Sequence, residues 1–234
     1  MKRRRGKQLN LHFPSRGGRR KGSGRKPAPE NVGLQKHRRR DPVDVRNPAH
    51  ITMRAVRGVP RMRSEVVARI IVAEIRRASA KGFRVLHFSV QSNQVHLIVE
   101  AESGVALSRG MQRLASRIAM MLNALVTRRG SVWRERYHRQ DLASPRQFRN
   151  ALVYVTFNIR KHASVEERAH WARSLDLFSS ALWLDDWKDR TVVERVRAAR
   201  AGPSPVVAPR TWYARAGWKL LGALDLRESP KSPV

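Results

Sequence analysis

The stretch Asn93-Gln94-Val95-His96-Leu97-Ile98-Val99-Glu100 decides how this chain folds. Its residues alternate, so as a strand it turns Gln94 and His96 to one face and Val95, Leu97 and Val99 to the other. Just upstream, Phe83 to Val90 is a second β-run, and Ser92-Asn93 supplies the turn that makes the two a hairpin. Further upstream, His50 to Arg57 predicts a first strand, closed by Gly58-Val59-Pro60. Ser64-Glu65 then opens a helix with Val67, Ile70, Ile71, Ile75 and Ala78 at helical spacing, ending near Gly82. Downstream of the hairpin, Ala106 to Arg129 is a long amphipathic helix carrying Met111, Leu114, Ile118, Met121, Leu122 and Leu125, a stripe that reads as core. Gly130 ends it. Ser131 to Gln140 predicts a short basic strand, and Ser144-Pro145 opens a helix running to about His162. The order β-α-β-β-α-β followed by a helix predicts an α+β fold: a ferredoxin-like antiparallel sheet with helices packed on one face.

The flanks read differently. Residues 1–46 are rich in Arg, Lys, Gly and Pro, with runs such as Arg3-Arg4-Arg5 and Arg38-Arg39-Arg40 that repel one another. Such a segment stays disordered alone and can serve as a phosphate-binding arm or only as a solubilising tail. After Ala163 the pattern thins. Phe178 to Trp187 reads as an irregular aromatic loop packed on the body, Ala199 to Pro209 as a linker, and Thr211 to Leu224 as a small helix. The expected organisation is a basic arm at 1–46, a domain at 47–163 and an irregular C-terminal extension at 164–234.

Charge narrows the partners. The 234 residues carry a formal net charge of +31, and the sequence pI is about 11.9. A field of that sign attracts polyanions, nucleic acid ahead of an anionic membrane surface. Cysteine is absent, which excludes disulfides, thiolate zinc sites and thiol nucleophiles. No apolar run approaches the roughly 18 residues that a membrane span needs, and the Met-Lys-Arg-Arg-Arg start is followed by no apolar stretch of the kind a secretory signal carries. The expectation is a cytoplasmic protein, associated with the nucleoid if the partner is DNA.

Tyr154 and Asn158 lie four apart on a predicted helix, hence on one face. A phenol, with a pKa of about 10, attacks phosphorus at neutral pH only with a cation or base nearby. Asn158 is an oxygen ligand that could hold such a cation, although a lone tyrosine at a core edge is by itself unremarkable. No Asp/Glu cluster has two-metal spacing, so His96 with Gln94 beside it and Asn158 would form a neutral N/O site suited to Mg²⁺ or Mn²⁺. A lone strand histidine is more often a hydrogen-bonded core or surface residue.

The set Gln94-Val-His96-Leu-Ile-Val-Glu on a hairpin, Arg134-Glu-Arg136-Tyr-His138, and Tyr154-x-x-x-Asn158 resembles the single-tyrosine HUH transposases, closest to their REP-associated branch. The resemblance runs from about His50 to His162. It implies a nuclease that nicks and rejoins single-stranded DNA, often beside a hairpin. Tyr154 would be the nucleophile and form a 5′-phosphotyrosine. His96, Gln94 and Asn158 would be the metal ligands, while Arg134, Arg136, His138, Arg160 and Lys161 would position phosphates. Related transposases work as dimers, so a homodimer belongs to the resemblance, although no interface is legible here. Gln94 departs from the pattern, which has histidine at that position. His162, two turns beyond Tyr154, lies too far along the helix to replace it, and His50 and His87, on neighbouring strands, are no better supported. The departure leaves a second reading open, an inactive DNA-hairpin-binding protein derived from such a transposase. A basic RNA-associated protein is a third.

Overall fold

A computed structural model describes residues 40–80, 82–162, 164, 174–200 and 202–230. Most of the expected basic arm therefore lies outside the described residues. Four antiparallel strands, β1 (Ala49–Arg54), β2 (Phe83–Val90), β3 (Gln94–Ala101) and β4 (His138–Asp141), form one sheet in the order β2-β3-β1-β4. Helix α1 (Glu65–Ala78) links β1 to β2, α2 (Gly104–Leu125) links β3 to β4, and α3 (Pro145–Phe157) follows β4. This is the ferredoxin-like α+β arrangement that the element order predicts.

Strand alternation divides the sheet into two unlike faces. Ile51, Met53, Val85, Phe88, Val90, Val95, Leu97 and Val99 pack with Val67, Ile71 and Ile75 of α1 and Met111, Leu114 and Ile118 of α2. Gly110 of α2 lies flat against Phe83, where a Cβ would come within 2.3 Å of the ring. The other face holds Leu86 and Ile98, and α3 lies over it. The helices are thus not confined to one face: α1 and α2 cover one, α3 the other. Leu86 and His87 both turn to the α3 face because a bulge between Val85 and His87 lets two successive residues point the same way.

α3 is buried around its whole circumference, every residue from Ala151 to Phe157 being shielded. The sheet covers one side and the C-terminal residues cover the rest: Leu175, Ala181, Leu182, Leu184, Trp187, Val193, Ala214, Trp218, Leu224 and Leu226 share its core. Polar ties fasten the C-terminal segment to the domain. Arg63 makes a two-pronged ion pair with buried Asp176 at 2.9 and 3.0 Å. Glu100 of β3 accepts from the backbone N–H groups of Arg210 and Thr211 and from the Thr211 hydroxyl. Within the segment itself, Arg197 donates to the carbonyls of Leu182 and Leu184.

Boundaries shift in places. The strand expected at 131–140 is broken: Trp133 bridges Ala55, and regular pairing resumes only at His138. α3 ends at Phe157 and tightens into a 3-10 turn over Asn158–His162. The aromatic loop contains a 3-10 turn at Ser180–Trp183, and Arg190–Arg200 is a helix where the sequence shows no ordered element. Its one fully buried apolar residue is Val193, and Arg197 rather than an apolar stripe anchors it. Among the described residues no helix is long and apolar enough to cross a membrane.

Candidate functional site

Ser144 sets the start of the tyrosine helix. Its hydroxyl accepts from the Gln147 N–H, the Gln147 side-chain oxygen accepts from the Ala143 N–H, and Pro145 occupies the first helical position. Asn158 caps α3 with helical backbone angles, so it stays one turn beyond Tyr154.

Antiparallel register arranges the facing side chains of the sheet in rows. Gln94 stands opposite Arg54, His96 opposite Thr52, and Ile98 opposite His50, while His138 of β4 stands opposite Thr52 on its other side. Tyr154 meets two of these rows. Its ring centroid lies 5.2 Å from that of His96 and 5.6 Å from that of His50, edge-on to both. The two imidazoles stack 5.5 Å apart with their planes 22° from parallel. Thr52 Oγ1 is 3.1 Å from His96 Nδ1. Gln94, by contrast, is half-buried at the outer end of β3, and among the described residues its side chain makes no hydrogen bond.

Burial dominates the electrostatics. It depresses the His50 pKa to about 4, with exposed His138 adding to the effect. It depresses that of His96 to about 3, with His50 and Lys161 adding. Both rings are neutral at pH 7, the form in which imidazole binds a metal. The Nε2 atoms of His50 and His96 and the Asn158 amide nitrogen are buried without a partner. Turned about its last bond, that amide presents oxygen instead. Two neutral nitrogens and an amide, each left unsatisfied, suit a divalent cation in donor chemistry. Among the described residues no three His, Asp or Glu side chains gather into such a site, so any cation here would be held without carboxylates.

The basic residues separate into two groups. Arg134, Arg136 and His138 are exposed beside and on the edge strand β4, and Lys161 is exposed with its ammonium 5.5 Å from the Tyr154 ring centroid. Arg160 is different. It is buried, stacks on Phe157 at 4.1 Å, and donates to the carbonyls of Leu226, Glu228 and Ser174. Burial lowers its pKa to about 10. Its guanidinium ties α3 to the C-terminal segment and faces no solvent-borne phosphate, contrary to the expectation from sequence.

His50 and Thr52 are the residues that the sequence reading underrated. Parity was the available signal, because His50, Thr52 and Arg54 alternate with Ile51, Met53 and Ala55 and therefore share one face. His87 lies elsewhere, edge-on to Phe148 and within 3.3 Å of the Ser180 hydroxyl.

A family model described as IS200-like transposase matches residues 48–156. No curated protein matches the sequence. One solved structure that it resembles is a REP-associated tyrosine transposase bound to a REP hairpin. The two are 14% identical, and the match covers 76% of this chain and 93% of that one with a TM-score of 0.47.

Proposed function

We propose, from the match of residues 48–156 to the IS200-like transposase family model, that the chain nicks and rejoins single-stranded DNA through Tyr154. The observation that carries the reading is the edge-on approach of Tyr154 to His96, 5.2 Å between centroids, inside the matched segment. The Tyr154 oxygen attacks the scissile phosphorus, a tyrosyl–phosphorus bond forms, and the bond to the 3′ oxygen breaks. The phenolic proton is lost and the departing 3′ oxygen gains one. The products are a 5′-phosphotyrosine and a free 3′-hydroxyl, whose attack on the same phosphorus reverses the step. His96 and Asn158 would hold a divalent cation, Mg²⁺ or Mn²⁺, whose chemistry when bound is to polarise a phosphate oxygen. Thr52 orients the His96 ring through Nδ1, and Lys161 offers its charge to the phosphate beside Tyr154. Arg134, Arg136 and His138 extend a basic rim along which the strand is held.

The reading of an inactive hairpin-binding protein has its own support. Gln94 replaces a ligand histidine, and Tyr154 is only 8% exposed. One assay separates the two. A labelled single-stranded hairpin with Mg²⁺ or Mn²⁺ is expected to give a covalent adduct on a denaturing gel, absent for Tyr154→Phe. Tight hairpin binding without an adduct in either ion would establish the inactive protein instead. An adduct that persists in Tyr154→Phe would remove Tyr154 from its role.

A further inference from the structure

We propose that His50, rather than Gln94, is the partner of His96 in holding a divalent metal, so that the metal site is built across two strands instead of along one. The register places His50 and Gln94 on opposite sides of His96. Gln94 pairs with Arg54 at the outer end of β3, whereas His50 lies diagonal to His96, opposite Ile98. Tyr154 chooses between these sides, because its ring meets His50 and His96 together. A metal serving that tyrosine belongs where the tyrosine is.

The orphaned atoms agree. Nε2 of His50 and Nε2 of His96 are both buried without a partner, and a buried polar atom left unmatched costs about 1–3 kcal/mol. Two such atoms on rings stacked 5.5 Å apart are a cost that a shared cation would relieve. Thr52 supplies the outer support, since His96 donating from Nδ1–H to Thr52 Oγ1 leaves Nε2 with its lone pair free for a metal. The same strand β1 thus provides both the second imidazole and the group that orients the first. A donor set of two imidazoles and the Asn158 amide, with no carboxylate, favours Mn²⁺-like first-row ions over Mg²⁺.

This rests on the tyrosine-nuclease reading for the purpose of the metal but not for its binding, which can be measured without DNA. Full-length protein is titrated with Mn²⁺ and the free ion followed by electron paramagnetic resonance. Pulsed measurements on the bound ion then count coordinated imidazole nitrogens. The wild type and the Gln94→Ala and His138→Ala variants are expected to show two imidazoles, and Gln94→Ala to bind within about twofold of wild type. His50→Ala and His96→Ala, shown to be folded by circular dichroism, should each retain one imidazole and bind at least about tenfold more weakly. A single imidazole in wild type, or unchanged affinity in His50→Ala with a large loss in Gln94→Ala, would overturn the assignment. So would a failure of wild type to bind millimolar Mn²⁺. The wild-type count decides the matter even where His50→Ala does not fold. Two imidazoles without DNA adduct would leave the ligand assignment intact and remove the nuclease reading; an adduct with one imidazole would do the reverse.

Discussion

Lowering the pH from 7 to 5 should cost the protein a large part of its stability, and the amount follows from buried His50 and His96 and half-buried His87. Burial depresses His50 and His87 to about 4 and His96 to about 3, from an ordinary value of 6.5. Each ring stays neutral in the fold while the unfolded chain takes up a proton near 6.5. Stability is therefore intact above that pH, falls as the pH drops below it, and levels off only past the folded values. At pH 5 each histidine costs about 2 kcal/mol, because the solution is about 1.5 pH units below 6.5 and each unit is worth about 1.4 kcal/mol. The three together cost about 6 kcal/mol, against a total of about 5–15 kcal/mol for a typical domain. Urea unfolding followed by circular dichroism between pH 5 and 8, with a chelator present, should show a limiting slope of about 4 kcal/mol per pH unit, three protons' worth. His87→Leu keeps an apolar group against Phe148 and leaves the Ser180 hydroxyl accepting from the Phe88 N–H. It should remove one proton from that slope. A flat profile between pH 6.5 and 5, or an unchanged slope in His87→Leu, would refute the assignment of acid sensitivity to these rings.

Arg160→Met should keep the stack on Phe157 but leave the carbonyls of Leu226, Glu228 and Ser174 without their donor. A loss of about 3 kcal/mol is expected, visible as a fall of roughly 10 °C in the thermal midpoint, whereas a midpoint unchanged within error would deny the tie. Gly110→Ala drives a methyl to 2.3 Å from Phe83 and should cost at least about 2 kcal/mol. Gly104→Ala, whose nearest neighbour would be Val43 at 3.6 Å, should leave the same melting curve unchanged or slightly raised. Arg134→Ala and Arg136→Ala should each reduce the slope of log affinity against log salt for single-stranded DNA by about 0.7. Equal slopes for wild type and both variants would move the binding surface elsewhere.

The sheet was legible because its signals are local. Alternation in Gln94–Ala101, a two-residue turn and two amphipathic helices specify four of the six ferredoxin-like elements with no long-range information. That Tyr154 and Asn158 share one helix face followed from their spacing, whereas any role for them rested on the resemblance. What escaped depends on contacts distant in sequence. The charge-free run from Ala151 to Asn158 signals a helix buried all round, yet the Leu152, Val155 and Ile159 stripe hides it. Nothing local says that residues 174–226 are the cover. Arg160 reads as a free cation because an arginine that ends on backbone carbonyls looks like any other. His50 needed the register as well as the parity, since only the pairing with Ile98 places it diagonal to His96.

The family match stops at residue 156, while the core around the tyrosine helix continues to Leu226. The segment that the family match covers is therefore shorter than the segment that packs around Tyr154. A gene fragment cut at the homology boundary would leave Leu152, Val155 and their neighbours facing water. A copy joined to a foreign tail would keep the histidines and the tyrosine but lose the carbonyls that seat Arg160. Divergence in the last sixty residues is in that sense divergence around Tyr154. Drift in that segment would change where Tyr154 sits before it changed Tyr154 or the histidines themselves.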